Sequence, residues 1–142
     1  MKKALAMIIA AALTLGLAAP ASAAIRITKI YFDSPGADTG SNKSLNAEYV
    51  QIKNTGNVRV ALSAWTLRDS DKHVYRFPTF RLGPGKSLRI HTGKGVNGAA
   101  NLYWRSSSYI WNNDGDTATL KRKIGTIASR CSYTGAGSYK VC

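Results

Sequence analysis

Histidine and carboxylate side chains are the first candidates for chemistry in this 142-residue chain. His73 and His91 are its only imidazoles, and Asp69 and Asp71 lie just before the first of them. A zinc ion takes ligands of these types, but the segment 69–72, DSDK, is also typical of a turn. A serine hydrolase would need a nucleophile elbow, which the sequence lacks. We therefore predict no catalytic residue and no metal ligand.

Two loop-like segments carry residues that also occur in cofactor and calcium sites. Residues 93–98, GKGVNG, fit the glycine pattern of dinucleotide-binding loops, but no helical periodicity follows them, as that site requires. Residues 112–116, NNDGD, are rich in oxygen ligands, which Asp33 and Asp38 could supplement. An EF-hand loop would end on a glutamate where this chain has Lys123. We expect a flexible loop, a hairpin turn and no cofactor, and we leave calcium binding open.

Basic side chains outnumber acidic ones, with 20 lysines and arginines, seven aspartates and glutamates, and a formal net charge of +13. The run Lys121, Arg122 and Lys123, with Arg105 and Arg89, is the predicted binding surface. Such a surface attracts polyanions, so nucleic acid, anionic wall polymers and a membrane surface are the candidate partners. Arg130 could join this surface, and further cations at outward strand positions or strand ends are Lys53, Arg59, Arg68 and Arg76. A solvated surface with no specific partner is the alternative.

Aromatic side chains after residue 100 are a second candidate for binding. Tyr103 and Trp104 are separated from Tyr109 by a serine-rich run, and exposed rings of this kind stack on bases or sugars. Trp65 is expected to be the core tryptophan between two sheets, because large aromatic rings dominate protein cores. Trp111 is a second candidate for the core. We predict an aromatic binding loop made of Tyr103, Trp104 and Tyr109.

Alternating apolar and polar residues predict short strands with one buried face. Val50 and Ile52 alternate with polar neighbours, and Glu48 shares their parity. Glu48 is therefore expected to point inward, where a carboxylate needs a hydrogen-bond partner. After Leu62 the apolar residues change parity, so the chain should bend at residues 63–64.

Turn signals separate the apolar runs at intervals of about 8–12 residues, and no helical periodicity appears after residue 24. This pattern is typical of an all-β chain. We predict an immunoglobulin-like β-sandwich of about seven to eight strands, preceded by a signal-peptide helix that is cleaved.

The first 23 residues have the layout of a secretory signal peptide. Lys2 and Lys3 precede an apolar, alanine-rich run, and residues 21–23, ASA, form a small-residue cleavage site. The run is short for a bilayer span of about 20 residues. We predict that residues 1–23 are removed, leaving a single secreted domain over 24–142 with no stable membrane span. Without the two lysines, its net charge is about +11.

Cys131 and Cys142 are the only cysteines. In an exported protein two thiols this close in sequence usually form a disulfide. Closing a loop of about 12 residues would stabilise the fold by ~2–3 kcal/mol. The sequence predicts this disulfide but leaves open whether it forms within one chain.

Short motifs occur in a consistent order along nearly the whole exported part. The longest are EYVxIxNTG at 48–56, LSxWTLxD at 62–69 and WNNxGDxAxL at 111–120. Shorter ones are YxFP at 75–78, LxPG at 82–85, HTG at 91–93 and LYW at 102–104. In these motifs the chain resembles the lamin-tail domain family, in its secreted bacterial single-domain form. The resemblance implies an immunoglobulin-like β-sandwich that serves in binding and not in catalysis.

Together these features predict a secreted, non-enzymatic interaction module whose basic surface binds an extracellular anionic polymer or a protein. One alternative is a small secreted nuclease or hydrolase, which would need an acid–base pair that the two histidines and seven acids do not assemble. Another is a glycan-binding protein of the cell envelope, which would use the loop aromatics. The oligomeric state is left open.

Overall fold

The computed structural model describes residues 24–142 and, ahead of them, Gly16 alone. The predicted signal peptide over 1–23 therefore lies outside the described residues, apart from that glycine. Within the described part of the chain, no helix combines the length and the apolar character needed to cross a membrane.

The described domain has eleven strands and one short helix. The strands are β1 Ile25–Tyr31, β2 Tyr49–Asn54, β3 Val60–Ala61, β4 Thr66–Arg68, β5 Val74–Arg76, β6 Arg81–Leu82, β7 Ser87–His91, β8 Asn101–Tyr103, β9 Asp116–Lys121, β10 Ile127–Tyr133 and β11 Tyr139–Val141. The all-β prediction is confirmed. The strand number exceeds the predicted seven to eight because several strands have only two or three residues, too few to show alternation.

Two main sheets face each other across one core, which confirms the predicted immunoglobulin-like sandwich. The five-stranded sheet has the order β11-β1-β2-β7-β8, antiparallel except for the β7–β8 pair. The four-stranded sheet has the order β10-β9-β4-β5 and is antiparallel throughout. β3 and β6 form a separate two-stranded pair.

The core is built from the inward positions of both sheets. Val50 and Ile52 come from the five-stranded sheet, and Leu67 and Leu120 from the four-stranded sheet. None of these four side chains is accessible to solvent. Burying a side chain of this size contributes about 1.5–3 kcal/mol. The inward residues that the alternation identifies are therefore the main source of stability.

The core tryptophan is Trp111, which is 2% exposed, and the prediction for Trp65 was wrong. Trp65 is only partly buried, packed against the margin of the core. The predicted bend at residues 63–64 is present, with Ala64 at a φ of 64°. Because β4 begins only at Thr66, after that bend, Trp65 lies at the end of the sheet and not between the sheets.

The helix α1, Asn42–Ala47, was not predicted. The side chain of Ser41 caps it by accepting a hydrogen bond from the backbone N–H of Ser44 at 3.3 Å. Leu45 is its only buried residue. Six residues with a single buried apolar residue are too few to show a helical period, so hydrophobic periodicity could not predict this helix.

The disulfide between Cys131 and Cys142 forms within the chain, with a Cα–Cα distance of 6.0 Å. Cys131 lies in β10 of the four-stranded sheet. Cys142 directly follows β11, the edge strand of the five-stranded sheet. The bond therefore joins the two layers and fixes the last strand to the sandwich.

Candidate binding surface

The outer face of the four-stranded sheet carries one basic side chain on each strand. Arg76 lies on β5 and Arg68 on β4, while Lys121 lies on β9 and Arg130 on β10. Each lies next to a buried residue of its strand, so the four side chains point away from the core. The three arginines are exposed and Lys121 is half-buried. We call these four side chains the four-strand face.

Strand register arranges the four cations in a checkerboard. One row across the sheet is Arg76, Thr66, Lys121 and Ile127, and the next is Val74, Arg68, Thr119 and Arg130. A threonine separates the two cations of each row. With strands about 4.8 Å apart and a rise of about 3.3 Å per residue, cations in one row are roughly 10 Å apart and the rows roughly 7 Å apart. Like charges directly opposite destabilise a sheet, and this arrangement avoids such pairs.

Threonine hydroxyls orient two of these arginines without neutralising their charge. Arg130 donates from Nε to Thr119 Oγ1 at 3.4 Å, and Arg68 donates from Nε to Thr66 Oγ1 at 3.5 Å. These long hydrogen bonds use one donor of each guanidinium. The remaining donors form the planar fork that matches phosphate or carboxylate oxygens.

The predicted basic run continues from this face into the turn after β9. Lys121 belongs to the four-strand face. Arg122 donates from Nη1 to the carbonyl of Ile127 at 2.8 Å, and its guanidinium lies 5.9 Å from the ring centre of Trp65. Lys123 is exposed in the turn. Arg122 therefore closes the hairpin, and the turn extends the basic surface at one end of the sheet.

The other two predicted cations belong to the opposite sheet. Arg89 lies on the outer side of β7 and donates from Nε to Gln51 Oε1 at 3.2 Å. Arg105 follows β8 and donates from Nη2 to the carbonyl of Gly95 at 3.2 Å. The structure thus divides the five predicted cations between two layers, and their role in binding stays a prediction.

The three predicted loop aromatics each have contacts within the domain. The ring of Tyr103 stacks on His91 at 5.1 Å and lies so close to Gly95 that a Cβ there would be 2.4 Å from it. Trp104 packs edge-on to the core tryptophan at 6.2 Å. The hydroxyl of Tyr109 lies 2.6 Å from a serine hydroxyl in α1. These rings are half-buried packing residues, and their stacking on a ligand stays a prediction.

Three carboxylates, those of Asp69, Asp71 and Asp116, have oxygens within 4.8 Å of one another. Donors already occupy them. Asp69 accepts from the backbone N–H of His73 at 2.7 Å and pairs with its ring at 2.5 Å, which raises the pKa of His73. Asn112 Nδ2 donates to Asp71 at 2.7 Å and to Asp116 at 3.3 Å. These hydrogen bonds account for the cluster as a set of turn-capping carboxylates.

Asn113, the next residue of the turn, contacts two more aspartates at the same end of the sandwich. Asn113 Nδ2 donates to Asp33 at 3.4 Å and to Asp38 at 3.2 Å, and Asp114 lies in the same turn. Only Glu48 lies elsewhere, inside the core. We call this end of the sandwich, which carries the six aspartates, the acidic end: Asp33, Asp38, Asp69, Asp71, Asp114 and Asp116.

Because the aspartates lie at one end, the lysines and arginines of residues 24–142 form no salt bridges. In residues 24–142 the pair of His73 and Asp69 is the only salt bridge, so no lysine or arginine described there contacts a carboxylate in this way. An unneutralised set of cations on one face of a sheet produces a positive field that extends into solvent.

Glu48 is fully buried, as predicted, and its role is structural. Its Oε1 accepts from Thr92 Oγ1 at 2.5 Å and from the backbone N–H of Ile110 at 2.9 Å. Its Oε2 has no partner among the described residues. Burial raises the pKa of Glu48 to about 7. This carboxyl group joins the start of β2 to the end of β7 and to the segment before β9.

A two-sheet sandwich of this kind is the architecture of an immunoglobulin-like interaction domain. The family model described as Lamin Tail Domain matches residues 18–135. The chain belongs to the lamin tail domain family, as the sequence motifs predicted, and this family suggests an immunoglobulin-like module for protein interaction. No curated protein shows significant similarity to the chain.

Proposed function

We propose that the protein is a secreted, non-enzymatic binding module whose four-strand face holds an extracellular anionic polymer. The exported form is residues 24–142, freed of the signal peptide over 1–23. The observation that carries the proposal is the checkerboard of Arg68, Arg76, Lys121 and Arg130, one on each strand and none in a described salt bridge.

The physical basis of binding is the release of counterions from the polymer. Each cation that neutralises a polymer charge displaces condensed salt ions, so affinity falls steeply as salt rises. The sheet holds the cations at fixed spacing, and the hydrogen bonds from Arg68 and Arg130 to threonines reduce the entropy that these two side chains lose on binding.

Two features of the described residues support a non-enzymatic role. The aspartates of the acidic end accept hydrogen bonds in turns, so Asp69 and Asp116 serve the fold. The two histidines lie apart: His73 is in the β4–β5 turn, and His91 is on β7 of the other sheet. A general acid–base mechanism needs such groups to meet at one cleft.

Retention on heparin, a soluble polyanion, tests the proposal. A four-strand variant removes all four charges of the face: Arg68→Gln, Arg76→Gln, Lys121→Gln and Arg130→Gln. A control variant removes four charges elsewhere: Lys43→Gln, Arg59→Gln, Lys86→Gln and Lys94→Gln. We expect the four-strand variant to leave the column at clearly lower salt than the control, because both have the same net charge and only one lacks the face.

Equal elution of the two variants would contradict the proposal, because binding would then follow net charge alone. Failure of the wild-type protein to bind heparin would also overturn it. Circular dichroism of both variants verifies that they remain folded.

A further inference from the structure

The outer face of the five-stranded sheet is a second basic surface. Arg26 and Lys29 project from β1, Lys53 from β2 and Arg89 from β7. None of the strands β1, β2, β7, β8 and β11 carries a carboxylate. We call these four cations, with the aromatic rings beside them, the tyrosine face.

A row of aromatic rings crosses this sheet from edge to edge. Tyr139, Tyr31, Tyr49, His91 and Tyr103 occupy successive strands in direct register. Neighbouring ring centres are 5.8, 5.6, 5.7 and 5.1 Å apart along the row. Aromatic cross-strand pairs stabilise a sheet, so the row stiffens the whole face.

The aromatic row also holds two of the cations in place. Lys29 Nζ lies 4.1 Å from the ring centre of Tyr139 and 5.4 Å from that of Tyr31. The guanidinium of Arg89 lies 4.6 Å from the ring centre of Tyr49. Cation–π contacts fix a charge without neutralising it, so these cations are positioned before any ligand arrives.

Arg26 and Lys53 stand directly opposite each other on β1 and β2, and both are exposed. Like charges in this position destabilise a sheet. Two opposed like charges with no carboxylate to compensate them are typical of a functional site. A polyanion on this face would remove the repulsion.

From the two opposed faces we propose that the protein bridges two segments of double-stranded DNA outside the cell, with one segment on the four-strand face and one on the tyrosine face. This inference rests on the proposed function and specifies its polymer. Each face contributes four cations and belongs to a different layer of the sandwich, so the two surfaces point in opposite directions.

The stiffness of duplex DNA explains why two segments are needed. Its persistence length is about 50 nm, whereas the two sheets of a sandwich are only about 10 Å apart. A duplex lying on one face cannot turn sharply enough to reach the other. The second face is therefore free for another segment.

Contacts of the rings favour a duplex over a single strand. Binding of single strands depends on free aromatic faces on which bases stack. Tyr49 is only 9% exposed beneath Arg89 and its neighbours, and Tyr103 is held between His91 and Gly95. Tyr139 is 51% exposed, but Lys29 Nζ lies over its ring at 4.1 Å from the ring centre. The cations remain accessible and suit the phosphate backbone, which is the part that duplex DNA presents outward.

A bead assay tests bridging. One biotinylated duplex is fixed to beads, and recovery of a second, fluorescent duplex is measured with the wild-type protein, the four-strand variant, the control variant and a tyrosine-face variant. The last carries Arg26→Gln, Lys29→Gln, Lys53→Gln and Arg89→Gln. We expect each face variant to bind the fixed duplex yet recover at least about tenfold less of the second duplex than the control does.

Each other outcome of the assay contradicts the inference in a distinct way. Bridging by either face variant at the control level would show that one face suffices, as in a dimer. Wild-type protein that binds the fixed duplex without recovering the second would overturn bridging and leave the proposed function intact. Retention on heparin without DNA binding, or binding of single strands alone, would overturn the choice of polymer.

A smaller variant separates charge from folding on the tyrosine face. Arg26→Gln with Lys53→Gln leaves the ring contacts of Lys29 and Arg89 unchanged. We expect it to unfold at the wild-type denaturant midpoint or above, because it removes a repulsive pair, and to bridge less than wild type. Full bridging by this folded variant would count against the tyrosine face.

Discussion

Glu48 is an acidic residue inside the core, where side chains of its type are rarely found. The carboxyl group is fully buried, and it links three segments through Thr92 and Ile110. Burial disfavours the charged form, so the pKa is raised from 4.5 to about 7. Below about pH 7 the neutral carboxyl group is therefore the main form in the folded domain.

This shift predicts a pH dependence of stability. Between pH 4.5 and about 7 the folded state binds more protons than the unfolded chain, so the free energy of unfolding decreases as pH rises through that range. The full change is on the order of 3 kcal/mol. We expect Glu48→Gln to remove most of this slope, measured by urea unfolding at several pH values. An unchanged slope in the variant would assign the effect to other groups.

Single residues also show where sequence reasoning succeeds and fails. The inward direction of Glu48 could be predicted because a strand period of two fixes the side on which each residue lies. Trp65 could not be placed, because its position depends on how far past the bend at Ala64 the next strand begins. Residue type alone could not show that Trp111, and not Trp65, is the core tryptophan.

At the scale of secondary structure, the disulfide connects the least protected strand to the rest of the domain. All three residues of β11 are exposed, and the strand pairs only with β1. Cys142 donates its backbone N–H to the carbonyl of Thr28 at 3.0 Å, so the chain end continues the sheet. The covalent bond to Cys131 holds that end against the other layer.

Replacing both cysteines by serine should lower the free energy of unfolding by about 2–3 kcal/mol. We also expect faster hydrogen exchange at Lys140 and Val141, because β11 loses its anchor, while Leu88 and Ile90 in the central strand β7 keep their protection. Denaturant unfolding and exchange mass spectrometry measure the two effects. Unchanged exchange in β11 would mean that its pairing with β1 is sufficient.

The four-strand face shows which parts of a site can be predicted from the alternation of residues within single strands. Alternation identifies Arg68 and Arg76 as outward residues. It does not reveal that β4 lies between β5 and β9, because Thr66 and Lys121 are far apart in the chain and their pairing is set by the fold. The same limit applies to the aromatic row, whose four tyrosines and one histidine come from five strands.

At the scale of the whole molecule, charge is sorted by position. Six aspartates occupy the acidic end, while both sheet faces carry cations without carboxylates in their outward rows. Under the proposed function, an approaching polyanion would be repelled at one end and attracted to both faces, which would orient the domain before contact. Motif order along the chain was enough to predict the sandwich, but not this sorting, because the loops that meet at Asn112 and Asn113 are distant in sequence.

An NMR titration of the isotope-labelled domain with a short DNA duplex tests directly whether the four-strand face binds the polymer. We predict that the amide signals of β4, β5, β9 and β10 around Arg68, Arg76, Lys121 and Arg130 shift as the duplex is added. Signals of the acidic end around Asp38, Asp71 and Asn113 should stay in place. Shifts confined to the acidic end or to α1, or no shifts at saturating duplex, would contradict the claim that the four-strand face binds the polymer.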